Sequence, residues 1–227
     1  MASLQRRIEE RFPGSSLGQL SQEILRVSNE AAQRSVWIQK PNLPLRLGVT
    51  CLVIVMPCLL LLLISTVKQF QVNDISSFLQ SLDAGIGSIV FIGAAIVFLV
   101  SWERRIKRAR ALKALHELRA MAHIIDMHQL TKDPESYVKE NFCQTASSPK
   151  RTMTPFELGR YLGYCTECLA MLSKIAALYV QGFQDPVLLD SVDDLEDLVS
   201  GLSQKIWQKI TLIETLTKPG QSRAAAS

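Results

Sequence analysis

The stretch Leu47-Gly48-Val49-Thr50-Cys51-Leu52-Val53-Ile54-Val55-Met56-Pro57-Cys58-Leu59-Leu60-Leu61-Leu62-Leu63-Ile64-Ser65-Thr66-Val67 decides how the rest of the chain is read. These 21 residues carry no charge. At about 1.5 Å per residue, a helix of that length crosses the roughly 30 Å hydrocarbon core of a bilayer. Each central Leu, Ile or Val favours insertion by about 0.3 to 0.6 kcal/mol. A second charge-free run extends from Ala84 to Trp102, a residue type that prefers the membrane–water interface. Two transmembrane spans are expected, about 47–67 and 84–102, joined by an outer loop at 68–83. The alternative is a soluble helix buried in a core, which requires protein to cover these side chains.

Orientation follows from the basic residues beside the spans. The loop carries Lys68 against Asp74 and Asp83, whereas Arg104, Arg105, Lys107, Arg108, Arg110 and Lys113 follow the second span. Arg34, Lys40 and Arg46 precede the first. Both termini are therefore expected in the cytoplasm. About forty mostly polar residues precede the first span, so it reads as a retained anchor and not as a signal peptide. None of the five cysteines falls in the outer loop, so no structural disulfide is expected. A bacterial inner membrane is the expected location.

Elsewhere the pattern is helical throughout. Pro13-Gly14 ends a short charged segment, and Ser15 or Ser16 can cap a helix with Leu17, Leu20, Ile24, Val27 and Ala31 on one face. Pro41-Asn42-Leu43-Pro44 breaks it. In the loop, Ile75, Phe78, Leu79 and Leu82 predict a short amphipathic helix or a turn with buried anchors. No glycine or proline interrupts Trp102 to Lys132, and Asp133-Pro134 supplies a stop. Thr154-Pro155-Phe156-Glu157 reads as a capping box opening a helix to about Gln181. The last long helix starts at Asp185-Pro186, with early acids and late lysines that complement its dipole.

The fold class is all-α: a two-helix transmembrane hairpin with a cytoplasmic helical bundle. Its parts are an N-terminal amphipathic segment (1–46), the hairpin (47–102), the bundle (103–218) and a disordered tail (219–227).

Three groups of residues are candidates for chemistry. Gly87, Ala94 and Ser101 recur at seven-residue steps, a small-residue seam that permits close helix packing. The first span, a second protomer, or a narrow pore could use it. The six cations after Trp102 are expected to contact anionic lipid. His116, His123 and Asp126 have loosely metal-like spacing, but Arg119 stands where a further ligand would be. A polar seam is expected instead, with Arg119 paired to Asp126 or placed around His123. Cys165-Thr166-Glu167-Cys168 lies mid-helix with no second ligand pair, so small apolar packing is expected.

The spans hold no ionisable residue, which argues against a secondary transporter. No nucleotide-binding or hydrolase motif is present, and the net charge of +4 is too small to imply nucleic acid. No cofactor, metal or catalytic residue is expected. The expected function is non-catalytic: an anchored protein that self-associates or recruits a cytoplasmic partner at the inner membrane face. The apolar stripes of the last two helices, in excess of one small bundle's needs, suggest a homo-oligomer. The other reading is an oligomeric pore subunit. Over roughly residues 16 to 130 the layout of amphipathic helix, two spans and long cytoplasmic helix resembles the two-span pore-forming effectors of bacterial nucleotide-signalled defence systems. That resemblance is architectural and involves no motif.

Overall fold

The computed structural model describes residues 1–40, 43–69, 75–134 and 153–217. Among them are six helices and no strand: α1 (Ala2–Arg11), α2 (Ser16–Gln39), α3 (Leu43–Gln69), α4 (Ile75–Leu130), α5 (Pro155–Val180) and α6 (Pro186–Thr217). Two of them, α3 and α4, are long and apolar enough to cross a membrane. The break at Pro41-Asn42, the loop centre at 70–74, Cys143, the polar linker around 144–149 and the tail from 219 lie outside the described residues. The chain divides into two compact units, Met1–Gln39 with Ala111–Ser227, and Lys40–Arg110.

The first unit is a helical bundle. Gly14 takes a left-handed φ of 67°, which glycine adopts without steric cost, and turns the chain between α1 and α2. Ser15 caps α2, its Oγ accepting from the Gly18 N–H at 3.1 Å. Helix α2 packs on α1 and α5, and α5 packs on α6. Leu17, Ile24, Val27 and Ala31 of α2 are buried, as the three- and four-residue steps require. They meet Leu118, Ala122 and Ile125 of α4, Leu162, Leu169 and Leu172 of α5, and Leu195, Leu202 and Ile206 of α6 in one core. Each fully buried Leu or Ile stabilises this core by about 1.5 to 3 kcal/mol relative to exposure. Phe12 closes one end, edge-on to Tyr161 and Tyr164 at 5.6 and 6.3 Å between centroids.

Helix α5 begins with the capping box: Thr154 Oγ1 accepts from the Glu157 N–H at 3.2 Å, and Glu157 Oε2 accepts from the Thr154 N–H at 2.8 Å. Asp185 closes the start of α6, with Oδ1 accepting from the Leu188 N–H at 3.3 Å. The apolar stripes of α5 and α6 are consumed inside the chain. Leu158, Leu162, Cys165, Leu169, Leu172 and Ala176 are fully buried, as is Ile206. These stripes serve a core to which α1, α2, α4, α5 and α6 all contribute.

The second unit holds α3 and the apolar part of α4. Pro44 sits in the first turn of α3, where a missing N–H leaves no intrahelical bond unmade. Pro57 lies inside α3 without ending it. No part of either apolar window is buried within the chain. The core helix of a soluble protein is mostly buried, and these windows are not. Helix α4 starts at Ile75, so residues 75–82 are its first turns and not a separate short helix.

Candidate functional site: the helix hairpin and the polar seam

The hairpin is built by one face of α4 against α3. Gly85, Ser88, Ile89 and Ile92 of α4 surround a cavity of about 70 Å³ with Met56, Leu59 and Leu60 of α3. Farther along, a Cβ on Gly48 would stand 4.0 Å from Leu99 Cδ1, ordinary van der Waals distance. Positions 85, 92 and 99 thus mark the α3-facing line. Gly87, Ala94 and Ser101 are each two residues beyond it, about 200° around the helix. They lie on the side away from α3. Ala94 and Ser101 are exposed, and nothing stands within 4 Å of a Cβ built on Gly87. Of the three users the sequence left open for this seam, the first span of the same chain does not take it.

The cations after Trp102 divide into different environments. Lys107 is nearly buried and its ammonium pairs with Glu103 at 2.9 Å, one turn earlier. Arg104, Arg105, Arg110 and Lys113 are exposed, and Arg108 is half-buried. Trp102 packs its ring against Phe98, with centroids 5.4 Å apart.

The histidine region forms a seam with partners that differ from those expected. Arg119 reaches across to Asp194 of α6 at 3.5 Å instead of pairing with Asp126. Asp126 accepts from Gln129 Nε2 at 2.6 Å, one turn on. His116, Arg119, Ser191 and Asp194 rim a shallow cleft of about 40 Å³ between α4 and α6. His123 is exposed, and His128 Nδ1 lies 2.8 Å from the Ile124 carbonyl. Among the described residues no three His, Cys, Asp or Glu side chains converge as a metal site would require. His116, His123 and Asp126 are not brought together.

Two polar features escaped the sequence reading. Glu117 of α4 faces Arg34 at 3.4 Å and Arg26 at 4.0 Å, and Arg34 also holds Glu30 at 2.7 Å. The buried Tyr179 phenol of α5 lies against this cluster; burial pushes its pKa up while Arg34 pulls the other way. The second feature is Lys209, whose Nζ donates to the Gln129 carbonyl at 2.8 Å. Burial lowers the Lys209 pKa, with Asp133 and Asp126 opposing. No local pattern announces either, because the partners are far apart in the chain.

Cys165 and Cys168 are buried in the core. Burial pushes the Cys168 thiol up to about 12, and Cys165 moves in the same direction for the same reason. Buried thiols with raised pKa are poor nucleophiles and poor metal ligands.

Comparison of the chain with protein-family models, with curated proteins and with solved structures gives no match.

Proposed function

We propose that the chain is a non-catalytic, membrane-anchored helical module, with α3 and α4 as a transmembrane hairpin and both termini in the cytoplasm of a bacterial cell. Its role is to self-associate or recruit a partner protein at the inner membrane face. One observation carries this reading. The helical bundle has a closed core, yet it leaves Met127, Leu130 and Trp207 well exposed. Large apolar side chains of this kind, Trp above all, are the anchors on which protein interfaces concentrate their energy.

A photo-crosslinking residue placed at Met127 or Trp207 of the full chain in native membranes tests the proposal. Adducts of defined mass are expected from those positions and not from exposed Ala120. A monomeric native mass in nanodiscs, together with no adduct at either position, overturns it.

The oligomeric pore is retained as a second reading because the Gly87–Ala94–Ser101 seam faces away from α3, where another chain can reach it. Two spans per chain cannot enclose a conducting path alone. A pore therefore requires a ring of four or more chains and ion flux in liposomes that responds to bulky substitution at Ala94. A scaffold gives no flux with or without the substitution.

A further inference from the structure

Along α4 the residues Phe91, Phe98 and Arg105 recur at seven-residue steps, which return to nearly the same face of a helix with a drift of about 20° per step. Trp102 lies between the last two, one turn from each. This face is open: Phe91 is 79% exposed, Phe98 60% and Trp102 47%. Arg105 is exposed at its polar end, and Arg104, also exposed, flanks the face about 100° around the helix. From Phe98 to Arg105 the rise is only about 10 Å. Within that length the surface passes from aromatic hydrocarbon, through an indole held against Phe98, to the Arg105 guanidinium, with Arg104 at its flank.

The order matches the chemistry of a phospholipid read from its chain to its headgroup. Aromatic rings bury acyl methylenes, an indole suits the glycerol-ester level, and guanidinium groups bind phosphate with paired N–H donors. Ala94, on the adjoining strip, leaves depth beside Phe91 and Phe98 for a chain to lie.

We propose that this face of α4 binds one anionic phospholipid, its phosphate held by Arg105 with Arg104 reaching it from the flank of the helix, and one acyl chain lying along Phe98 and Phe91. The inference rests on the membrane reading given above. A second copy fits the face less well, since all copies insert in the same orientation. Packing face to face would then set Arg105 against its own counterpart, and like charges in contact repel. A phosphate complements it.

The test uses the full chain, first floated with vesicles of phosphatidylcholine containing a minority of phosphatidylglycerol. Native mass spectrometry from nanodiscs of the same lipids follows. One phosphatidylglycerol is expected to survive activation that strips phosphatidylcholine. Replacing Arg104 or Arg105 by Gln should lower its retention about fivefold for each arginine. Ala94→Phe, which fills the strip but keeps both arginines, should also lower it. Phe98→Ala, which shortens the wall, serves the same purpose should Ala94→Phe fail to insert.

Equal retention of the two lipids overturns the proposal. So does retention unaffected by both Ala94→Phe and Phe98→Ala, which would mean diffuse attraction to headgroups. A dimer abolished by Ala94→Phe would give the face to a second copy and also overturn it. Failure to float with vesicles is a separate result, and it removes the membrane reading itself.

Discussion

Lys209 Nζ donates to the carbonyl oxygen of Gln129 at 2.8 Å, so the end of α4 is closed by a cation supplied from α6, 80 residues away. The last four carbonyls of a helix have no intrahelical donor, and the negative end of the helix dipole lies there. The Gln129 carbonyl accepts from the Lys132 N–H at 3.1 Å, and Lys209 adds a second donor with a charge of the favourable sign. The contact ties the last turn of α4 to the body of the bundle. Lys209→Met is expected to lower unfolding stability by about 1 to 2 kcal/mol, since a charge-assisted bond is lost while some desolvation cost is relieved. Chemical denaturation of the two proteins in the same detergent checks this; a difference indistinguishable from zero would remove the role assigned to Lys209.

The buried thiols give a pH dependence of determined sign. Cys165 and Cys168 ionise from about their ordinary value of 9.0 in the unfolded chain but only at higher pH when folded. Above pH 9 the folded state therefore holds more protons than the unfolded state. Stability falls as pH rises from there, by up to about 1.4 kcal/mol per pH unit for each thiol. Lys209 acts the other way: its pKa lies below 10.5 when folded, so its own contribution rises as pH climbs towards that value. Stability measured against pH in Cys165→Ala and Cys168→Ala should fall less steeply above pH 9 than in the parent. An unchanged slope would show that the thiols are not buried as described.

The capping box at the start of α5 is local and makes its own prediction. Hydrogen bonds from the Thr154 backbone and side chain lower the pKa of the Glu157 carboxyl. A depressed carboxylate contributes stability above its unfolded value of 4.5, and the contribution is lost as pH falls through the folded pKa. Thr154→Ala is expected to cost about 0.5 to 2 kcal/mol near neutrality and to flatten the acid limb of the stability curve. Urea midpoints of both proteins between pH 3 and about pH 7 measure this. Equal midpoints throughout would mean that the box does not hold α5.

The contrast between Thr154 and Lys209 explains what was legible in the sequence. A capping box joins residues three apart, so residue identity and spacing alone place it, and the structure has it at Thr154 and Glu157. The two apolar runs were equally plain, because length and apolarity are read directly from composition over a continuous stretch. The helix that carries the second run is longer than the run itself: α4 starts at Ile75, since a backbone helix continues through polar residues such as Gln80 and Asp83. Partners across helices were hidden. Arg119 was given a neighbour on its own helix, but it meets Asp194 of α6, because helix packing brings distant residues nearer than the next turn can reach. The small-residue seam was visible as a period, and its direction became visible only once α3 stood on the opposite side of α4.

The fate of the α6 stripe separates folding from assembly. Leu202 and Ile206 belong to the apolar stripe of α6, and they are 4% and 0% exposed within this chain. Leu202→Ala and Ile206→Ala should each cost about 2 to 5 kcal/mol, because they remove buried methyl groups and leave a cavity that closes only in part. Trp207, the next residue along α6, is 60% exposed, so Trp207→Ser should leave monomer stability within about 0.5 kcal/mol. If Trp207 is an interface anchor, the same change should weaken association by 2 kcal/mol or more, about thirtyfold in Kd. Thermal unfolding and native mass measured on the three variants therefore give opposite patterns. Loss of assembly without loss of stability in Leu202→Ala would mean that the core assignment is wrong, and loss of stability without loss of assembly in Trp207→Ser would take the partner-binding role from that side chain.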